Sequence, residues 1–205
     1  MVSRHGFERE LLELTSPRLI LAMTLGALIN GGTFAAFTFL APVVTDVTGV
    51  DAGWVSAALV LFGVGSFLGV TIAGRLSDRH PGLVLGIGGP LLLAGWITTA
   101  LVAQHPVPLF ALIFVQGVLS FGVGSALIAR VLYAASGAPT MGGSYATAAL
   151  NIGAAVGPVL GGLGLATSAG LLAPVWVAVA LTMAALVVAG AFRRLVVDPA
   201  LEPLG

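Results

Sequence analysis

The stretch Gly74-Arg75-Leu76-Ser77-Asp78-Arg79-His80-Pro81-Gly82 decides how this chain is to be read. It reads as a short polar turn, crowded with ionisable side chains, between two long apolar runs that carry none. A charge at the centre of a bilayer costs about 2.5–3.5 kcal/mol per Arg or Asp, whereas at the water interface it costs little. The stretch therefore belongs at a membrane face, and the runs on either side belong inside the membrane.

Composition agrees with that placement. Of 205 residues, 58% are hydrophobic and 8% are charged, against about 25% charged in an ordinary soluble domain. Too few charges are present to cover a water-exposed surface, so the chain reads as an all-α integral membrane protein. Net charge is zero, which supplies no basic field for nucleic acid. The absence of Cys excludes disulfides, thiolate metal sites and cysteine nucleophiles. All the basic residues are Arg, a choice from which nothing functional is drawn. The first apolar run is too long, and starts too late, to be a secretory signal.

Working outward, residues 1–17 interleave Arg4, Glu8, Arg9, Glu10 and Glu13 with Phe7, Leu11, Leu12 and Leu14. That pattern predicts an amphipathic segment on the membrane surface, or a linker from something upstream. Ser16-Pro17 supplies an N-cap and a first-turn proline. Six spans follow, at about residues 18–44, 54–74, 83–103, 109–132, 143–166 and 171–192, each near the 20 or so residues that a hydrocarbon layer requires. Trp54 opens the second at interfacial depth. Gly86, Gly88, Gly89 and Pro90 make the third look flexible. Residues 195–205 form a short tail.

Arginine placement orients the spans. With both termini inside, Arg4, Arg9, Arg18, Arg75, Arg79, Arg130, Arg193 and Arg194 all fall on the cytoplasmic face, and the outer loops hold none. Such a split is a strong positive-inside signal, and the expected location is the cell inner (plasma) membrane. It also supports the helix count, since one span too many or too few would scatter the Arg residues over both faces.

The polar turn resembles the signature between the second and third helices of each half of major facilitator superfamily transporters. Gly74, Leu76, Asp78 and Arg79 match; Pro81 stands where a second Gly usually falls and Gly82 where a basic residue would be. In the fifth span, Asn151, Gly153, Gly157, Pro158, Gly161 and Gly162 resemble the Gly-Pro pattern of antiporters in that superfamily. Gly every four residues bares one helix face for close packing, and Pro158 removes one helix hydrogen bond. The resemblance covers essentially the whole chain. It implies the C-terminal six-helix half of a drug-efflux member, in the manner of chloramphenicol-resistance and arabinose-efflux-like permeases, with a complementary half or a second copy as partner.

The first and fourth helices of each half line the substrate path in that family. Here Asn30, Thr33, Phe34 and Phe37 fall within about a 100° arc, and Gln116 and Ser120 lie one turn apart. Amides and hydroxyls inside a bilayer serve either interhelical hydrogen bonds or a watery pocket. As a pocket lining they suit a neutral, amphipathic small molecule. Arg130, one turn inside the inner end of the fourth span, needs a carboxylate or a headgroup. Asp78, the one acidic residue in an inner loop, is expected to pair with it and, with Gly74 and Arg79, to gate the carrier; the alternative is an Arg that snorkels to phosphate.

No Asp, Glu, Lys, Arg or His stands near mid-membrane, so a proton-coupled parent would carry its titrating group in the other half. No Ser lies beside an intramembrane His, which argues against a membrane protease. There is no phosphate-binding Gly-rich loop, and no metal or cofactor is expected. The reading is a half-transporter working by alternating access, with no bond made or broken, in a lipid bilayer and without nucleic acid. Its rivals are a truncated inactive fragment and a self-associating, channel-like bundle.

Overall fold

The computed structural model describes residues 15–77, 81–138 and 140–193. Among them six helices are long and apolar enough to cross a membrane. We label them α1 (Pro17–Thr38), α2 (Gly53–Ser77), α3 (Pro81–Val102), α4 (Pro106–Ala134), α5 (Gly142–Gly164) and α6 (Ala173–Ala191). The described residues form no strand. Residues 1–14 of the expected segment 1–17, and the whole expected tail 195–205, lie outside them.

Proline sets several of the starts. Pro17 and Pro106 open α1 and α4 behind Ser16 and His105, both in extended backbone. A first-turn proline gives up an amide that has no helical acceptor anyway, and its φ is already helical. Ser16 holds the N-cap position but makes no side-chain capping bond; its carbonyl accepts from Ile20 at 3.0 Å.

Three boundaries differ from the reading of the sequence. The polar stretch is largely helical where it is described, because residues 74–77 complete α2 and Pro81 begins α3. The Gly86 to Pro90 group lies within a continuous α3. Two of its glycines make room for neighbours: a Cβ on Gly88 would come 2.9 Å from Val123, and one on Gly89 2.8 Å from Leu186. The first span is not one rod. After Thr38 the chain turns at Phe39, resumes as Leu40–Pro42, and ends in a wide π-helical turn over Val43–Val47.

Packing divides the bundle into two three-helix sets. α1 packs most extensively on α5 and next on α6, while α4 packs most extensively on α2 and next on α3. Exchanging α1, α2, α3 for α4, α5, α6 preserves this pattern, as in the internal repeats of many carriers. α1 and α4 sit centrally, α2 and α5 flank them, and α3 and α6 lie behind.

Both main crossings depend on glycine. A Cβ on Gly153 or Gly157 of α5 would overlap the backbone carbonyls of Ala27 or Gly31 on α1. A Cβ on Gly65 or Gly69 of α2 would overlap the carbonyls of Phe114 or Val118, and one on Gly117 of α4 lies 3.1 Å from the Ser66 amide. Small residues let helix backbones approach where lipid supplies no hydrophobic drive for association. Gly31 and Gly117 thus hold equivalent places in the two sets, as do the α5 and α2 glycine pairs.

Candidate functional site

Four phenylalanines gather where α1, α2 and α4 meet. Phe34 and Phe37, half-buried on α1, meet edge to face with centroids 6.2 Å apart. Phe37 lies 4.8 Å from Phe62 of α2, and Phe62 lies 5.9 Å from Phe121 of α4, again edge to face. These are the offset and T-shaped arrangements that the ring quadrupole favours. The result is a continuous aromatic surface of which Phe62 alone is buried.

The polar members of the expected set are distributed differently. Asn30, half-buried, donates through Nδ2 to the Leu150 carbonyl on α5 over 2.7 Å. It therefore joins two helices at the glycine crossing. Thr33 is buried, and its hydroxyl donates to Ile29 in its own helix at 3.0 Å. Gln116 and Ser120 are 1% and 3% exposed, inside the bundle. Gln116 Nε2 donates to the Leu92 carbonyl of α3 at 3.3 Å. Its amide fills the space beside Gly95, where a Cβ would collide with it.

Of the six residues, Phe37 and Gln116 come together as walls of one cavity, which Leu40, Val43, Trp96 and Thr99 also line. It encloses about 30 Å³. A larger, apolar groove of about 440 Å³ runs along α1, α5 and α6 between Ile20, Thr24, Leu28, Ile152, Val156 and Leu181. None of the six expected residues lines it.

At the end of the bundle where α2 passes into α3, Gly74 and Arg75 are exposed; Arg130 of α4 is half-buried. Asp78 and Arg79 fall outside the described residues, so the expected Asp78–Arg130 pair does too. On α5 the glycine face meets neighbouring helices. Gly153 and Gly157 meet α1, and Gly161 lies against Phe39 and Pro174, where a Cβ would stand 3.3 and 3.2 Å away. Gly162 is looser, with Phe39 at 3.6 Å. Pro158 sits within an unbroken helix. Asn151 points away from this face and is exposed, as are Ser144, Thr147 and Ala155.

Sequence reading missed Phe62, Phe121 and the α2 crossing at Gly65 and Gly69. The Gly65-x-x-x-Gly69 spacing was a usable signal; no comparable pattern picked out the two phenylalanines.

Comparison with known proteins follows the same lines. The sequence matches the Major Facilitator Superfamily over residues 23–204. It is 59% identical over 191 residues to a chloramphenicol resistance protein of Streptomyces lividans, covering 93% of this chain and 49% of that protein. It is 31% identical over 189 residues to the MFS-type transporter YtbD of Bacillus subtilis, covering 89% of this chain and 47% of that one. The inner membrane transport protein YdhP of Escherichia coli K12 is 31% identical over 160 residues, covering 78% and 41%. The chain spans about half the length of the curated relatives it matches. Six apolar helices in two equivalent sets, the family match along nearly the whole length and these likenesses converge: this membrane-spanning chain is half of a transporter fold and belongs to the Major Facilitator Superfamily.

Proposed function

We propose that this chain is the C-terminal half of a proton-coupled exporter of small, neutral, amphipathic molecules, chloramphenicol-like drugs or sugars, and that it works by alternating access. The observation that carries the proposal is the 59% identity to a chloramphenicol resistance protein. The aromatic surface of Phe34, Phe37 and Phe121 supports it, since flat π faces bind a ring-bearing solute at little conformational cost. Asn30 and Gln116 act behind that surface, holding α1 to α5 and α4 to α3, and Thr33 and Ser120 add to the polar backing of the path.

A complementary six-helix bundle, or a second copy, completes the carrier by docking on the outer faces of α2 and α5. The exposed Asn151 amide favours a protein or aqueous neighbour over lipid. The partner also brings the titrating group that this chain lacks at mid-membrane. At the inner mouth Gly74, Asp78, Arg79 and Arg130 form the gate. Residues 1–17 are the cytoplasmic linker and 195–205 the cytoplasmic tail, with the bundle in the inner membrane. Transport makes and breaks no bond, so the chain is no enzyme.

Export settles the matter experimentally. Cells carrying this chain together with a complementary half are loaded with radiolabelled chloramphenicol, and efflux is followed with and without a proton uncoupler. Efflux that stops with the uncoupler is the expected result. Passive flux indifferent to the uncoupler would assign a channel instead, and no flux would sink the exporter reading.

A further inference from the structure

Four buried side-chain atoms in the bundle meet no hydrogen-bonding group among the described residues: Trp96 Nε1, Gln116 Oε1, Ser120 Oγ and Thr182 Oγ1. Two of them belong to residues that line the same cavity. One of these is a donor and the other an acceptor.

Both residues belong to the packing between α3 and α4. Leu92 and Trp96 stand one turn apart on α3, so the indole of Trp96 projects back over the turn that carries the Leu92 carbonyl. The Gln116 amide sits on that same turn, its Nε2 fixed on the Leu92 carbonyl and its Oε1 beside Gly95. The bond to Leu92 also decides which way round the amide lies, since a carbonyl can only accept. Thr99, the next polar lining residue, donates its hydroxyl to the Gly95 carbonyl at 2.8 Å. Its oxygen retains lone pairs for a further donor.

The space suits water. A water needs about 10–15 Å³ on this measure and two to four polar partners, and the cavity encloses about 30 Å³. Apolar cavities stay dry, but this one has Trp96, Thr99 and Gln116 in its wall. A drug-sized molecule, which takes about 300 Å³ or more, does not fit.

We propose that this cavity is a water-binding site, in which one water accepts from Trp96 Nε1–H and donates to Gln116 Oε1 and Thr99 Oγ1, tying α3 to α4 behind the aromatic surface. Those three bonds are the number a buried water ordinarily makes. The site needs no transport activity, and the proposal stands apart from the exporter reading.

Nuclear magnetic resonance of the purified chain in detergent micelles tests it. Replacing Trp54→Phe and Trp176→Phe, both away from the cavity lining, leaves Trp96 as the single indole. Its N–H is expected to show a rotating-frame cross peak to water, with the sign produced by proximity rather than by proton exchange. Adding Gln116→Leu should weaken that peak several-fold. If that variant does not fold, Thr99→Val removes a partner at nearly constant shape and should weaken it likewise. No cross peak in the single-indole chain overturns the proposal, and so does a peak of unchanged strength in whichever of the two variants folds.

Discussion

Gly157 of α5 lies so close to Gly31 of α1 that any side chain at position 157 would overlap the Gly31 carbonyl. Overpacking a tight contact costs about 1–3 kcal/mol. Gly157→Ala should therefore lower the thermal midpoint of the chain in detergent by several degrees. Gly86→Ala, in α3, meets nothing within 4 Å and should be neutral or stabilising by about 0.5–1 kcal/mol, because alanine restricts the unfolded chain. Equal effects of the two substitutions would show that the α1–α5 crossing does not depend on glycine.

Asn30 supplies a second, separable link across the same crossing. Interhelical hydrogen bonds in membranes average about 0.6 kcal/mol and reach about 1.7. Asn30→Leu is expected to cost about 1 kcal/mol in denaturant unfolding, through loss of the 2.7 Å bond to Leu150. A variant that lost transport while keeping full stability would instead make Asn30 a residue that contacts the solute.

Orientation is open to a direct check because the chain has no native cysteine. Gln104→Cys, between α3 and α4, should react with a membrane-impermeant maleimide in intact cells. Arg193→Cys, just beyond α6, should react only after the cells are opened. The reverse pattern would invert the topology and remove the basis of the inner-face gate.

For the gate, Arg130→Ala should slow export, and the charge exchange Asp78→Arg with Arg130→Asp should restore much of it. Unchanged export in Arg130→Ala would leave that arginine as an anchor to lipid headgroups.

The sequence was most legible where one interaction overrules all others. Charge avoids hydrocarbon, so arginines and long apolar runs located the six spans, and glycines every fourth residue marked a bare face of α5 without saying which helix meets it. It was least legible where the outcome depends on which helix lies opposite. Gln116 and Ser120 share a face of α4, as their spacing requires, but spacing cannot say that the face looks into the bundle. Phe37 became part of an aromatic surface only because α2 brings Phe62 to it. The turn at Phe39 is announced only by Pro42, which has no N–H to offer the Thr38 carbonyl four residues back; the Phe39 ring then lies against Gly161 and Gly162 of another helix.

That turn separates two allegiances within one transmembrane segment. Below it, Leu25, Ile29 and Ala36 share a core with α3, α4 and α6; above it, Leu40, Val43 and Val44 share one with Ala58, Phe62 and Ile113. Thr48 also fastens the upper piece to the Ala103 carbonyl at 2.7 Å. The segment is thus a jointed strut: residues 40–47 are seated in one core and residues 25–36 in another, with Phe39 as the joint between them.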